Sequence, residues 1–168
     1  MKKLISLFIL FTFLLSTSAN SAPPSQQSQK LIPEIPIKQY LKSFSKLEEN
    51  YIGLDEFIKL RDENKNLIIL DVRPKYSYNK EHIKGAINID AANLTKDILT
   101  KNIPSKNSKI VVYCDNSLYP TRMIALTTPS YAELYNQGYK NIYVLRAHYK
   151  NGKMNSIEKL RSDLPLVK

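Results

Sequence analysis

One cysteine, two histidines and a short Asp-x-Arg segment carry most of the chemistry open to this chain. Cys114 closes the apolar run Lys109-Ile-Val-Val-Tyr-Cys114 and is followed by Asp115, Asn116, Ser117, Leu118, Tyr119, Pro120, Thr121 and Arg122. A loop that leaves a strand and enters a helix can turn successive backbone N–H groups inward. Those donors and the helix dipole hold an anion and favour a thiolate. A lone cysteine is often an apolar filler, but its place at a strand end argues for a nucleophile, with the sulfur partly accessible. Asp115, Asn116, Ser117, Leu118 and Tyr119 are then the candidate anion-binding positions, and Arg122 either joins them or lies on a solvated face. Asp71 and Arg73 either support this site or only tie a loop to the sheet. His82 is a hydrogen-bonded turn residue or a base, and His148 stands where a third apolar run ends. A single cysteine cannot form an internal disulfide, and two histidines without a cysteine pair have no zinc spacing. Disulfide scaffolds and zinc modules are excluded, and no metal or organic cofactor is implied.

The elements that must position these residues are legible as short apolar runs. Leu67-Ile-Ile-Leu-Asp-Val72, Lys109 to Cys114 and Asn141-Ile-Tyr-Val-Leu145 are too short for helices and apolar throughout, with a shorter Ala86-Ile-Asn-Ile89 between the first two. Continuous runs of this kind mark strands buried on both faces, as in parallel sheets. Helical segments separate them. Gly53 and Glu56 read as N-cap and N3 of a helix with Leu54, Phe57, Ile58 and Leu60 inward, ending at Asn64 to Asn66. Thr128-Pro129-Ser130 reads as the start of another, carrying Tyr131, Leu134 and Tyr135 and closed by Gly138. Right-handed crossovers then give an α/β domain of three layers, a central parallel sheet flanked by helices. Its strand C-termini share one edge, where ligands bind in such sheets.

At the N-terminus, Met1-Lys2-Lys3, the apolar run from Leu4 to Leu15 and the small residues Ser16 to Ala22 read as a secretory signal spanning residues 1–21. Such a run spans about 18 Å as a helix, short of the ~20 residues a bilayer core requires, so no stable membrane anchor is expected. The expected location is periplasmic or secreted, where an idle thiol tends to be oxidised. Residues 22–50, with Pro23, Pro24, Pro33 and Pro36 and no sustained period, read as a linker or extended arm. The domain proper is expected over 51–150, with a C-terminal segment over 151–168. The 25 Lys+Arg against 15 Asp+Glu make a formal charge of +10. The lysines are interspersed with acids and no reader motif appears, so nucleic acid is not an expected partner.

Three segments carry a family resemblance: Leu67 to Asp90, LIILDVRPKYSYNKEHIKGAINID; Ile110 to Cys114, IVVYC; and Gly138 to Leu145, GYKNIYVL. In this order and spacing, from about Ile52 to Tyr149, they resemble the single-domain rhodanese-like sulfurtransferases. The resemblance implies that Cys114 accepts sulfane sulfur as a persulfide, drawing on a small anionic sulfur donor and passing sulfur to a thiol or cyanide acceptor. The chain also departs from the family. An Arg usually stands five residues after the Cys, with Gly and Ser between, whereas position 119 is Tyr and the first Arg is Arg122. The loop lacks glycine and is lengthened, and Ala147-His148 replaces the usual Gly-Gly after the last strand.

These departures leave a second function class open, a rhodanese-fold binding or regulatory module with a protein partner and little turnover. If Leu118, Tyr119 and Pro120 fold over the thiol, small donors are shut out. An oxyanion phosphatase or reductase would need Arg six positions after Cys, and position 120 is Pro.

Overall fold

Apolar side chains that alternate along a strand can serve two cores at once, and the central strands here do so. In the computed structural model, which describes residues 37–121, 123–150 and 153–168, the chain opens with helix α1 (Ile37–Leu47), strand β1 (Tyr51–Ile52) and helix α2 (Leu54–Glu63). Strand β2 (Ile68–Asp71), helix α3 (Lys75–Lys80), the short strands β3 (His82–Ile83) and β4 (Ile87–Asn88), and helix α4 (Lys96–Asn102) follow. Strand β5 (Lys109–Tyr113) runs into the single-turn helix α5 (Asp115–Leu118), then helix α6 (Thr127–Asn136) and strand β6 (Asn141–Leu145). The hairpin β7 (Tyr149–Lys150) and β8 (Lys153–Met154), helix α7 (Ile157–Asp163) and strand β9 (Leu166–Val167) complete it.

The main sheet has five strands in the order β1-β6-β5-β2-β4, all parallel. Leu70, Val72, Ile110, Val112, Cys114, Ile142 and Val144 point into one core, with Leu47, Leu99, Tyr131 and Leu134 from the helices above. Ile69, Val111, Tyr113 and Leu145 point into the other, with Leu54, Phe57, Leu118, Leu160 and Leu164. This is the expected three-layer α/β architecture with a central parallel sheet flanked by helices. Parallel pairing places the ends of β2, β5 and β6 on one edge.

Several local expectations hold and others change. The Gly53 N–H donates to the Glu56 carboxylate at 2.8 Å, so Glu56 does start α2. Gly138 closes α6 with φ +87, a left-handed conformation costly for a side chain. Its N–H bonds to the Tyr135 carbonyl and that of Tyr139 to the Leu134 carbonyl, the paired bonds that end a helix. The helix starts at Thr127, ahead of the expected cap, and Ser130 Oγ donates back to the Leu126 carbonyl. The arm expected over 22–50 is corrected for residues 37–47, which form α1. Leu47 and Ser43 of this helix are buried, and the helix packs on α6. Its helical period was hidden by the prolines just ahead of it. The C-terminal segment is likewise integral: Leu160 of α7 and Leu164 just after it are buried in the second core, and β9 pairs antiparallel with β3. Residues 1–21, read as a signal, and 22–36 of the arm lie outside the described residues.

Candidate active site

The end of β2 is held by an ion pair withdrawn from water. Asp71 is fully buried and Arg73 is 4% exposed. Arg73 Nε and Nη2 donate to the Asp71 carboxylate at 3.0 and 2.7 Å, and the Arg73 backbone N–H adds a bond at 2.9 Å. Two further donors are used, Nη1 on Asp115 Oδ1 at 3.0 Å and Nη2 on the Glu81 carbonyl at 2.7 Å. Burial alone would lower the pKa of the guanidinium, but Asp71 and then Asp115 hold it above its ordinary value. Asn88 on β4 donates to the carbonyls of both Asp71 and Arg73. Arg73 therefore crosslinks the ends of β2 and β5.

Cys114 lies at the C-terminal end of β5 with extended backbone and begins α5. The expected open loop is a turn of helix instead. Ser117 N–H bonds to the Cys114 carbonyl at 2.9 Å and Tyr119 N–H to the Asp115 carbonyl at 2.8 Å, so these two amides point along the chain. Ser117 Oγ accepts from the Cys114 N–H at 3.1 Å. The Ser117 carbonyl accepts from the Ala147 N–H at 2.8 Å and from His148 Nδ1 at 3.3 Å, binding α5 to the segment after β6. The expectation of a partly accessible sulfur is corrected: Cys114 is 2% exposed and belongs to the first core. Leu118 does not close over it, because Leu118 packs in the second core with Tyr113, whose side chain points to the opposite face of β5.

Tyr119 takes the position where an Arg was expected, and its hydroxyl donates to Glu81 Oε1 at 2.7 Å. Burial, followed by that bond, pushes the phenol up to about 12. Its ring stands between two cavities. One, of about 420 Å³, is lined by Asn116, Ser117, Tyr119, Thr121, Arg146 and His148 among others. The other, of about 390 Å³, is lined by Arg73, Tyr76, Lys80, Glu81, Asp115 and Tyr119 among others. Asn116 Nδ2 donates to the Met123 carbonyl at 2.7 Å and its Oδ1 accepts from the Thr121 hydroxyl, tying Thr121 and Met123 to α5. Burial lowers the His148 pKa, with the nearby Arg146 charge acting in the same direction, against the raising effect of the Ser117 carbonyl.

The fold thus gathers Asp71, Arg73, Cys114, Asp115, Asn116, Ser117, Tyr119 and His148 at one sheet edge. His82 is placed apart from this group: it lies in β3, stacks on Tyr78 with ring centroids 3.8 Å apart, and bonds through Nδ1 to the Tyr78 carbonyl. That is the turn role. Arg122 lies outside the described residues. Sequence reasoning missed Glu81, which bonds Arg73 through its backbone and Tyr119 through its carboxylate, and Arg146, which stacks over Tyr51 and lines the larger cavity. Arg146 carried a signal, as a cation directly after a strand end. Glu81 carried none, because its partner is 38 residues away.

Residues 53–155 match the rhodanese-like domain family, more than half of the chain. The chain belongs to that family. It is 41% identical over 46 residues to the thiosulfate sulfurtransferase PspE of Escherichia coli, covering 27% of this chain and 43% of the relative. It is 35% identical over 79 residues to the adenylyltransferase and sulfurtransferase UBA4 of Vanderwaltozyma polyspora, covering 41% of this chain and 18% of the relative. The matches therefore span less than half the length of either relative. Among solved structures, a rhodanese-like domain from Anabaena sp superposes with a TM-score of 0.50 at 18% identity, over 70% of this chain and 78% of that one. At that identity the likeness concerns the fold alone.

Proposed function

We propose that this protein is a sulfurtransferase that works by double displacement through Cys114. The Cys114 thiolate attacks the sulfane sulfur of thiosulfate or of a persulfide. The S–S bond of the donor breaks with its electron pair leaving on sulfite or on a thiolate, and Cys114 keeps the transferred sulfur as a persulfide. A thiol or cyanide then attacks that outer sulfur and Cys114 returns as thiolate. The observation that carries this reading is the placement of the one cysteine, at the C-terminal end of the central strand in a rhodanese-like domain. Arg146 and His148 in the adjoining cavity supply a cationic and a polar wall for an anionic donor. Because Cys114 is 2% exposed, the donor reaches the sulfur only when the structure around it opens locally. Residues 1–21 are proposed as a signal for export, so the reaction would run in the periplasm or outside the cell.

Mass spectrometry of the protein after thiosulfate exposure tests the reading. One added sulfur atom, lost in Cys114→Ser and released by cyanide, is the expected result. A binding or regulatory module is the second reading, and the burial of Cys114 under a hydrogen-bonded helical turn favours it. Absence of sulfur loading from thiosulfate, glutathione persulfide and mercaptopyruvate alike would establish that second reading over the first.

A further inference from the structure

Helix α1 turns one side to the body of the protein and leaves an apolar stripe outside. Ser43 and Leu47 are buried against the domain, and Asn50, just beyond the helix, donates to the Tyr131 hydroxyl of α6 at 3.0 Å. Ile37, Leu41 and Phe44, spaced at i, i+4 and i+7, form a separate stripe that is 77%, 61% and 47% exposed. Elsewhere among the described residues, the exposed large apolar side chains are Tyr76, Met123, Ile124, Met154 and Ile157. Stripes of this kind on a helix are seldom left in water.

The charges beside the stripe indicate what covers it. Residues 37–47, IKQYLKSFSKL, contain three lysines and no acid. Lys38, Lys42 and Lys46 recur every four residues on the exposed side, next to the apolar stripe. Lys46 pairs with Glu49, and no ion pair is seen for Lys38 or Lys42 among the described residues. An apolar face bordered by lysines is the pattern of a helix that lies in the plane of a membrane interface, its apolar side chains about 5–10 Å into the headgroup boundary. The formal charge of +10 adds long-range attraction of the same sign. A second copy of the chain is a poorer occupant, since a two-fold pairing would bring two acid-free, lysine-bearing helices together.

We infer that α1 docks this protein on anionic lipid surfaces through Ile37, Leu41 and Phe44, with Lys38 and Lys42 facing the headgroups. This docking is independent of any chemistry at Cys114, and α1 lies ahead of the matched domain. The test is flotation of the chain from residue 22 to its end with vesicles of equal parts phosphatidylcholine and phosphatidylglycerol, and with phosphatidylcholine alone. The wild-type chain is expected to float with the anionic vesicles. The pair Leu41→Ser with Phe44→Ser is expected to weaken that binding by about tenfold or more, because two large side chains no longer leave water. The pair Lys38→Gln with Lys42→Gln is expected to weaken it by about fivefold per lysine and to leave binding to phosphatidylcholine unchanged. All these proteins lack residues 1–21, the proposed signal, so its apolar run does not mask a difference between them, and residues 22–36 are common to them.

Equal flotation of the wild type and the Leu41/Phe44 variant would overturn the proposal, as would no flotation of the wild type. A dimer seen by light scattering and abolished by the Leu41/Phe44 pair, with vesicle binding unaltered, would assign the face to a second copy and overturn it too. If the apolar substitutions shift the melting curve, the lysine variant decides: unchanged binding to anionic vesicles then rejects the proposal.

Discussion

At the residue scale, Arg73 illustrates how a buried charge is made tolerable. Its guanidinium donates to two carboxylates and a carbonyl, and it lies 5.4 Å from the Tyr113 ring centroid. Removing one partner of such a pair leaves the other charged and dry. Arg73→Met is therefore expected to lower stability by about 3–5 kcal/mol in urea unfolding. Adding Asp71→Asn is expected to restore part of that loss, because the fully buried carboxylate is then gone and only the more exposed Asp115 is left without its partner; additive losses would contradict the pairing. Burial first, and the Asp71 carboxylate second, push the pKa of Tyr113 beside it up.

At the element scale, α5 and the segment after it are tied to the rest of the edge by several bonds, among them that of the Tyr119 hydroxyl to Glu81. Tyr119→Phe removes the 2.7 Å bond to Glu81 at a cost of about 0.5–1.5 kcal/mol. If this bond governs local opening, iodoacetamide modification of Cys114 should accelerate about fivefold while global unfolding shifts little. An unchanged alkylation rate would mean that opening runs through the Ser117 contacts instead. Helix α1 offers a second contrast. Leu47, 1% exposed, is expected to cost about 2–5 kcal/mol as Leu47→Ala, whereas Leu41→Ala, on the exposed stripe, should stay within about 0.5 kcal/mol. Thermal melts of the two variants distinguish an integral helix from an arm resting on the surface.

At the scale of the whole molecule, His148 links pH to the connection between α5 and β6. Burial holds its folded-state pKa below the ordinary value of 6.5, so the unfolded chain binds the proton more readily. Its contribution is fully present above about pH 6.5 and is lost as pH falls through the lower folded value. Denaturant midpoints of the wild type are expected to drop across that acid window. In His148→Gln, which keeps a donor for the Ser117 carbonyl, the drop should be shallower. Identical pH profiles for the two would remove His148 from the account.

The strand runs, their parallel pairing and the cysteine at a strand end were all legible in the sequence, because burial on both faces leaves an uninterrupted apolar signature that only a few residues can produce. Gly138 was legible for a similar reason, as its left-handed backbone follows from local sterics. What the chain order did not reveal was whether Cys114 meets solvent. The turn that follows Cys114 is held by Ala147 and His148 on Ser117 and by Tyr119 reaching Glu81, contacts between segments some 30 or more residues apart. Such pairings have no local period. The apolar pattern of α1 was present all along, but which of its faces is covered is set by where α6 lies, and only the tertiary structure places α6 there.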